Sequence, residues 1–333
     1  MGARRTVSWP VMPNAVRSAL LVAFVLAPVT VLAQPFEAVG ARAQGMAAFV
    51  AVADDASAVY WNPGGLASGA YFSLVLDRTE AETKTAADGR AGGRSSWLLA
   101  LSAPAIGLSY YRLRTTNVAP TDRLSPTPLS RVESLVTHHA GATLVHSIFS
   151  FLAAGATLKV IRGVATLGDS PGNPEDLIDD DIPGVSSHQF DVDVGVLATG
   201  SLVRAGLTLR NLTEPSFETS SDQKLELGRQ ARAGVALLLT PRWTAAVDFD
   251  LTRNRGPFGD VRTLALGTEA RLTPRASARA GIQLNTAGDQ GRTPLASVGA
   301  SYAAFGSLLV DAHFSTGSDE AFRGWGVAGR VVF

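Results

Sequence analysis

Apolar and polar residues alternate along most of the chain, from about residue 70 to the C-terminus. Between residues 231 and 240 the odd positions carry Ala, Val and Leu, and the even positions begin with Arg232. In the next segment Asp248 and Asp250 lie opposite the apolar positions. A period of two predicts β-strands, because successive side chains of a strand point to opposite faces, whereas a helix would mix the two sets. The chain is therefore predicted to be all-β.

About fourteen alternating segments of roughly ten residues follow one another. They cover residues 70–79, 93–102, 105–116, 133–147, 149–163, 186–199, 201–212, 227–240, 242–254, 260–273, 275–286, 294–303, 306–316 and 322–333.

The links between these segments are alternately short and long. Tight turns are marked at residues 103–104, 147–148, 200, 241, 274 and 304. Longer polar links cover residues 80–92, 117–132, 163–185, 213–226 and 255–259. Short turns at one end and long loops at the other are typical of an outer-membrane barrel, with the turns in the periplasm. An even strand count places both ends of the barrel on the periplasmic side.

Charged residues are concentrated on one face of the segments. A charge on a lipid-facing strand costs about 2–4 kcal/mol near the midplane, so these side chains are expected to face the lumen. The residues expected there are Asp191, Asp193, Arg204, Arg232, Asp248, Asp250, Glu269, Arg271, Arg279, Asp311 and Arg330. A soluble β-sandwich is the alternative, with the apolar face in the core and the charged face in water. The turn and loop asymmetry favours the membrane barrel, whose sheet must close to satisfy its backbone hydrogen bonds.

The two ends of the chain support export to an outer membrane. Residues 1–33 combine early arginines, an apolar run and the ending Val31-Leu32-Ala33, which predicts a secretory signal peptide cleaved before Gln34. An anchor helix is the alternative. At the other end, Phe333 closes an amphipathic segment and is similar to the signal read by the barrel assembly machinery, which is the expected partner.

Aromatic side chains on the apolar face predict two interfacial belts in contact with membrane lipid. The belt near the turns contains Trp243, Tyr302 and Phe333, and the belt near the loops contains Trp97, Phe190, Phe314 and Trp325.

Composition narrows the functional classes. The chain has 29 basic and 29 acidic residues among 333, which gives no basic face for nucleic acid. It has no cysteine, which excludes disulfides and thiolate metal sites. No nucleophile–base or phosphate-loop motif is present, so neither an enzyme nor a cofactor is expected. The acidic run Asp176, Asp179, Asp180 and Asp181 could bind a hard cation or form a solvated loop, and we expect no metal site.

Residues 40–66 do not alternate. They are rich in small residues, with an apolar run at 46–53, the acidic pair Asp54 and Asp55, and a turn at 62–65. Small residues let a backbone pack closely under a barrel wall, and the acidic pair can cap a short helix or accept hydrogen bonds from lumen arginines. A periplasmic tail is the alternative to an insert in the lumen.

The same stretch resembles the N-terminal signature of PorV/PorQ-type outer-membrane proteins, which are related to the FadL-like long-chain fatty acid transporters. The residues that carry the resemblance are Gly40, Arg42, Gly45, Asp54, Asp55, Asn62, Pro63, Gly64 and Gly65. The usual Asn-Pro-Ala-Gly-Leu appears here as Asn-Pro-Gly-Gly-Leu, and Met46-Ala47-Ala48 replaces a glycine-richer version. The resemblance implies a hatch inside the barrel and passage of hydrophobic ligands. PorV-like members instead serve type IX secretion.

These observations together predict a transmembrane antiparallel β-barrel of about fourteen strands with a small N-terminal plug in its lumen. The expected divisions are a signal peptide at 1–33, the plug at 34–68 and the barrel at 69–333. The leading functional hypothesis is passive transport or binding of small hydrophobic compounds in the bacterial outer membrane. The alternative is a PorV-like secretion or surface-attachment partner that uses the outer loops to dock a secreted protein.

Overall fold

The computed structural model describes residues 39–84, 89–122, 128–178, 182–221, 223–256, 259–287, 294–317 and 322–333. The signal peptide predicted at 1–33 lies outside the described residues. Within the described ranges, none of the helices has the length and apolar character needed to cross a membrane.

Fourteen antiparallel strands form a closed barrel, which confirms the predicted architecture. Each barrel strand pairs with the next barrel strand along the chain, and the first one, Ser73–Lys84, closes the barrel by pairing with the last one, Phe322–Val332, in the register Ser73↔Val332. The barrel strands are β1 Ser73–Lys84, β2 Ala91–Ala103, β3 Ile106–Asp122, β4 Leu129–Phe149, β5 Leu152–Pro171, β6 Val185–Thr199, β7 Val203–Arg210, β10 Gln230–Thr240, β11 Trp243–Asp250, β14 Thr263–Arg271, β15 Ala276–Asn285, β16 Leu295–Phe305, β17 Leu308–Gly317 and β18 Phe322–Val332.

Short turns join the strands at one end, here called the turn side, and longer links join them at the other, the loop side. Two links carry small hairpins, β8 Ser216–Glu218 with β9 Lys224–Glu226 and β12 Asn254–Gly256 with β13 Gly259–Val261. The alternation did not reveal these hairpins because a three-residue strand is too short to show a period. Strands β3 to β5 extend well beyond the predicted segments on the loop side.

The outer surface of the barrel is apolar and its interior is charged. The aromatic residues predicted for the two belts are all exposed, from 42% at Trp97 to 70% at Phe333. Asp191, Asp248 and Asp311, which lie on the opposite parity, are at most 1% exposed. Apolar groups outside and paired charges inside are the arrangement of a membrane barrel. The closed sheet and this distribution exclude the β-sandwich alternative.

Residues 39–68, here called the plug, lie inside the barrel. They form helix α1 (Ala41–Met46), helix α2 (Ala58–Trp61) and a 3-10 helix (Pro63–Ser68). Most side chains from Val39 to Trp61 are buried in one cluster with inward residues of the wall. Phe49 and Trp61 are packed edge to face, with ring centroids 5.7 Å apart.

Helix α3 (Pro174–Leu177) packs against the outside of the wall on the loop side. The side chain of Ile178, just after this helix, lies over Gly93, where an added Cβ would overlap it. Gly93 is at a position of β2 that faces outward. Leu177 and Ile178 form a buried cluster with Val118 and Val132. The loop-side tips of β2 to β4 are therefore covered by protein on their outer face.

Candidate functional site

Glycines of the wall allow the plug backbone to approach closely. A Cβ at Gly155 would lie 2.5 Å from the Pro63 carbonyl carbon, and one at Gly206 would lie 2.7 Å from the Val50 carbonyl oxygen. A Cβ at Gly267 would overlap the Met46 carbonyl oxygen. Contacts this short require residues without a side chain. The wall is thus shaped around the plug at positions on different strands.

Two buried carboxylates of the wall accept hydrogen bonds from plug backbone N–H groups. Asp77 accepts from Gly40 N at 3.0 Å and from Ala41 N at 2.6 Å, at the start of α1. Asp248 Oδ2 accepts from Phe49 N at 2.6 Å and from Val50 N at 2.9 Å. These donors have no partner within a helix, so the wall supplies the hydrogen bonds that the plug cannot make internally.

We expect Asp248→Ala to weaken docking of the plug, because it leaves the N–H groups of Phe49 and Val50 buried without acceptors. Hydrogen bonds to a charged group contribute about 1.5–3 kcal/mol each, so the loss is on the order of 3 kcal/mol. The measurement is the rate of tryptic cleavage after Arg42 in the folded, detergent-solubilised barrel. Asp260→Ala, at an exposed position of β13, serves as the control and should leave the rate unchanged. Equal rates for the two variants would contradict the role given to Asp248.

Arg42 joins the plug to the wall on the turn side. Its Nη1 lies 2.6 Å from Asp54 and 2.9 Å from Asp55, both in the plug, and its Nε lies 3.2 Å from Glu269 of β14. Arg330 of β18 reaches Asp55 at 3.2 Å. One arginine and one carboxylate of the plug therefore each have a wall residue of opposite charge as partner.

This pairing keeps the plug carboxylate charged. Burial would raise the pKa of Asp55, but the positive charges of Arg330 and Arg42 outweigh it and lower the pKa to about 2. Because the folded-state pKa is lowered, the stabilisation is present above the ordinary aspartate value of about 4 and is lost as the pH falls towards 2. The ion pairs thus hold the plug across the neutral range.

The turn at the end of α2 fixes the plug to β6. Asn62, which is fully buried, donates from Nδ2 to the carbonyl oxygens of Val50 at 3.0 Å and Val196 at 3.1 Å. Its Oδ1 accepts from Gly64 N at 3.1 Å. Gly65 lies so close to the Ala53 carbonyl that a Cβ there would overlap it. The residues that carry the family resemblance are thus packing and hydrogen-bonding residues of the plug.

A buried charged layer lies next to the plug towards the loop side. Lys159 Nζ is 2.8 Å from both Asp191 and Asp193, and all three are at most 1% exposed. The Arg210 guanidinium lies over the Tyr60 ring of the plug, 3.7 Å from its centroid. The side chains of this layer come from β5, β6 and β7 of the wall.

An apolar cluster of buried side chains lies on the loop side of the charged layer. Phe217, from the β8–β9 hairpin, is fully buried and lies against Gly163, where a Cβ would overlap its ring. Its partners are Leu135, Ile161, Ala165, Leu225 and Leu227. Asp191 and Asp193 also hold the base of this hairpin, because they accept hydrogen bonds from Thr213 N and Asn211 N.

The other residues expected in the lumen form ion pairs along the inner wall. Arg232 pairs with Asp250 at 2.5 Å, and Arg279 lies 3.3 Å from Asp311. Arg204 lies 3.6 Å from Asp54 near the turn side. Arg271, the last residue of β14, is instead exposed at the turn-side rim, because the strand ends there.

Sequence reasoning missed Asp77, Lys159 and Phe217. Asp77 and Lys159 share the parity of buried neighbours, so a stricter count of inward positions on β1 and β5 would have found both. Phe217 gave no such signal, because it lies in a link without alternation. Of the acidic run considered for a cation, Asp176 lies in α3, and residues 179–181 lie outside the described residues.

A family model described as "F plasmid transfer operon, TraF, protein" matches residues 131–250, which is less than half of the chain. This part runs from β4 to β11 and includes Lys159 and Phe217. No curated protein matches the sequence.

Solved structures give a clear similarity in fold. The CymD monoaromatic hydrocarbon channel matches with a TM-score of 0.63 at 14% identity, over 90% of this chain and 99% of that one. The Pseudomonas putida toluene transporter TodX matches with 0.63 at 11% identity, over 90% and 99%. A Pseudomonas aeruginosa FadL homologue matches with 0.60 at 12% identity, over 92% and 99%. The chain therefore has the fourteen-stranded barrel fold of FadL-like channels.

Proposed function

We propose that this protein conducts small hydrophobic compounds passively across the bacterial outer membrane. The observation that carries the proposal is the fold shared over about nine tenths of the chain with a monoaromatic hydrocarbon channel and a toluene transporter. The neighbours are transport channels, and the proposal includes no enzymatic step. PorV/PorQ kinship remains part of the proposal and rests on residues 40–66.

The character of the lumen supports a hydrophobic substrate. Its charges are largely paired with one another, as in Lys159 with Asp191 and Arg232 with Asp250, so they offer little to a free ion. The cluster under the β8–β9 hairpin is apolar and includes the aromatic ring of Phe217. In the proposed mechanism, a compound of similar size and polarity takes the place of this ring.

In the proposed mechanism, the parts of the protein that fill the lumen must move before a compound can pass through it. A compound entering from the loop side displaces Phe217, then meets the charged layer at Lys159, and then the plug. The link from β7 to the β8–β9 hairpin contains Asn211 and Glu214, both with positive φ, and the two strands of the hairpin pair with each other. We assign this hairpin the role of a lid over the apolar cluster.

Uptake of toluene by liposomes containing the purified barrel tests this function. We expect uptake well above that of empty liposomes. In a Gln189→Cys and Ser216→Cys variant, a short bismaleimide should stop uptake, because Gln189 Nε2 donates to the Ser216 carbonyl at 2.8 Å and the cross-link would hold the lid closed. The chain has no other cysteine, so the untreated variant is the control. Wild-type uptake no greater than that of empty liposomes would refute transport.

The secretion-partner alternative loses part of its structural basis. It would use the long outer loops, especially residues 163–185, as a docking surface, but β5 continues to Pro171 and β6 begins at Val185. The link between the two strands is therefore shorter than expected and covers residues 172–184. Transport remains the function that we propose.

A further inference from the structure

A row of basic side chains crosses the outer face of the wall towards the loop side. Arg112, His138, Arg162 and His188 are direct partners in the register of β3, β4, β5 and β6. Neighbouring strands are about 4.8 Å apart, so the four groups lie within about 15 Å. We call these four residues the basic row.

The basic row faces away from the lumen. Tyr111, His139 and Ile161, each one residue along from a member of the row, are buried inside the barrel, so the row has the outward parity. Within the described part of the chain, no carboxylate pairs with any of the four residues. Unpaired positive charge on the outer face of a membrane barrel is unfavourable in hydrocarbon and favourable only near water or an anion.

The position of the row corresponds to the membrane boundary. On its loop side, the segment around α3 covers the wall, and Arg114 Nη2 donates to the Ile178 carbonyl at 2.9 Å. Trp97 of β2 is the register partner of Arg112, so an aromatic belt residue lies at the same level. Tryptophan is enriched at the level of lipid headgroups.

An apolar groove continues from the row towards the turn side. It has a volume of about 580 Å³, and its lining includes Tyr110, Ala140, Val160 and Phe190, each two residues along its strand from a member of the row. The small residues Ala140, Gly141 and Ala142 of β4 form its floor. The larger side chains of β3 and β5 that line the groove form its two sides. The groove is open to the surroundings of the barrel.

Tyr110 connects the two parts. It lines the groove, and its hydroxyl is 2.8 Å from Nδ1 of His138 in the basic row. Positive charge at the headgroup level and an apolar groove directly below it fit one kind of molecule, an anionic amphiphile with its polar group towards the loop side.

We propose that this surface binds an anionic phospholipid, whose phosphate group carries the net negative charge of the molecule. The phosphate lies on the guanidinium groups of Arg112 and Arg162 with the two histidines beside it, and one acyl chain lies in the groove. Arginine presents paired N–H donors that match phosphate oxygens. The site is on the outside of the wall and does not depend on whether the lumen conducts.

Native mass spectrometry of the barrel released from nanodiscs tests the site. The discs contain equal amounts of phosphatidylglycerol and phosphatidylcholine. We expect the wild type to retain one phosphatidylglycerol with a preference of about tenfold. Arg112→Gln with Arg162→Gln should reduce this preference to about twofold or less. Arg78→Gln is the matched control, because Arg78 lies in the same register level on β1 but is paired with Glu80.

A second variant tests the groove without changing charge. Ala140→Phe fills its floor and should lower retention of phosphatidylglycerol about tenfold, since a full-length acyl contact is lost. Heat-modifiable migration on a gel confirms that each variant is folded. Equal retention of the two lipids by the wild type, or unchanged preference in the double arginine variant, would overturn the proposal. Displacement of phosphatidylglycerol by added palmitate would overturn the assignment to phosphate.

Discussion

Deletion of residues 34–66 is expected to open the turn side of the lumen and to destabilise the barrel. The plug fills this half of the interior, so its loss should produce conductance in a planar bilayer, where the wild type stays closed. Asp77, Asp248, Glu269 and Arg330 would each lose a plug partner inside the wall. Loss of these hydrogen bonds and ion pairs costs several kcal/mol, which corresponds to a midpoint lower by roughly 10 °C or more.

Replacement of residues 40–66 by a glycine and serine segment of equal length separates the specific contacts of the plug from chain length. It should conduct and unfold like the deletion, because it supplies no Arg42 or Asp55 and no fixed N–H donors to the wall. Heat-modifiable migration against temperature gives the midpoint for both variants. A deletion with wild-type conductance and wild-type heat stability would refute the plug's sealing role.

Gly267→Ala is the second change with a large expected effect. The added methyl group would overlap the Met46 carbonyl oxygen at the end of α1, and both partners are backbone or directly attached to it, so neither can rotate away. Overpacking in a filled interior costs about 1–3 kcal/mol or more. We expect intermittent conductance in planar bilayers and faster tryptic cleavage after Arg42, both from a plug that leaves its seat.

Gly329→Ala is the control for this substitution. Gly329 lies on β18 with the outward parity, and a Cβ there would meet no atom within 4 Å. The same change of residue type should therefore leave conductance, cleavage and heat stability as in the wild type. If Gly267→Ala also behaves as the wild type, the Met46 carbonyl at the end of α1 does not pack closely against Gly267 of β14.

Much of the wall could be predicted from the sequence because it follows from a local rule. A strand with lipid on one side and a lumen on the other must alternate, and positions such as Asp248 and Phe314 therefore reveal their faces without any knowledge of neighbours. The fourteen strands, their antiparallel order and the distinction between turns and loops follow from that rule. The loop-side tips of the strands are less predictable. At the tips of β2 to β4 the outer face contacts the segment around α3 and not lipid, so apolar and polar residues need not alternate there.

The sequence by itself thus determined a closed membrane barrel with a non-alternating N-terminal stretch. Tertiary structure alone decided how that stretch is held, because its partners come from strands far apart in the chain. Gly155 and Gly267 meet the plug from different sides of the barrel, and Asp77 and Asp248 satisfy different turns of it. The basic row likewise depends on the pairing register of four strands, which makes neighbours of residues that are 24 to 26 positions apart in the chain. Pairing register is a long-range property, and no local pattern of residues encodes it.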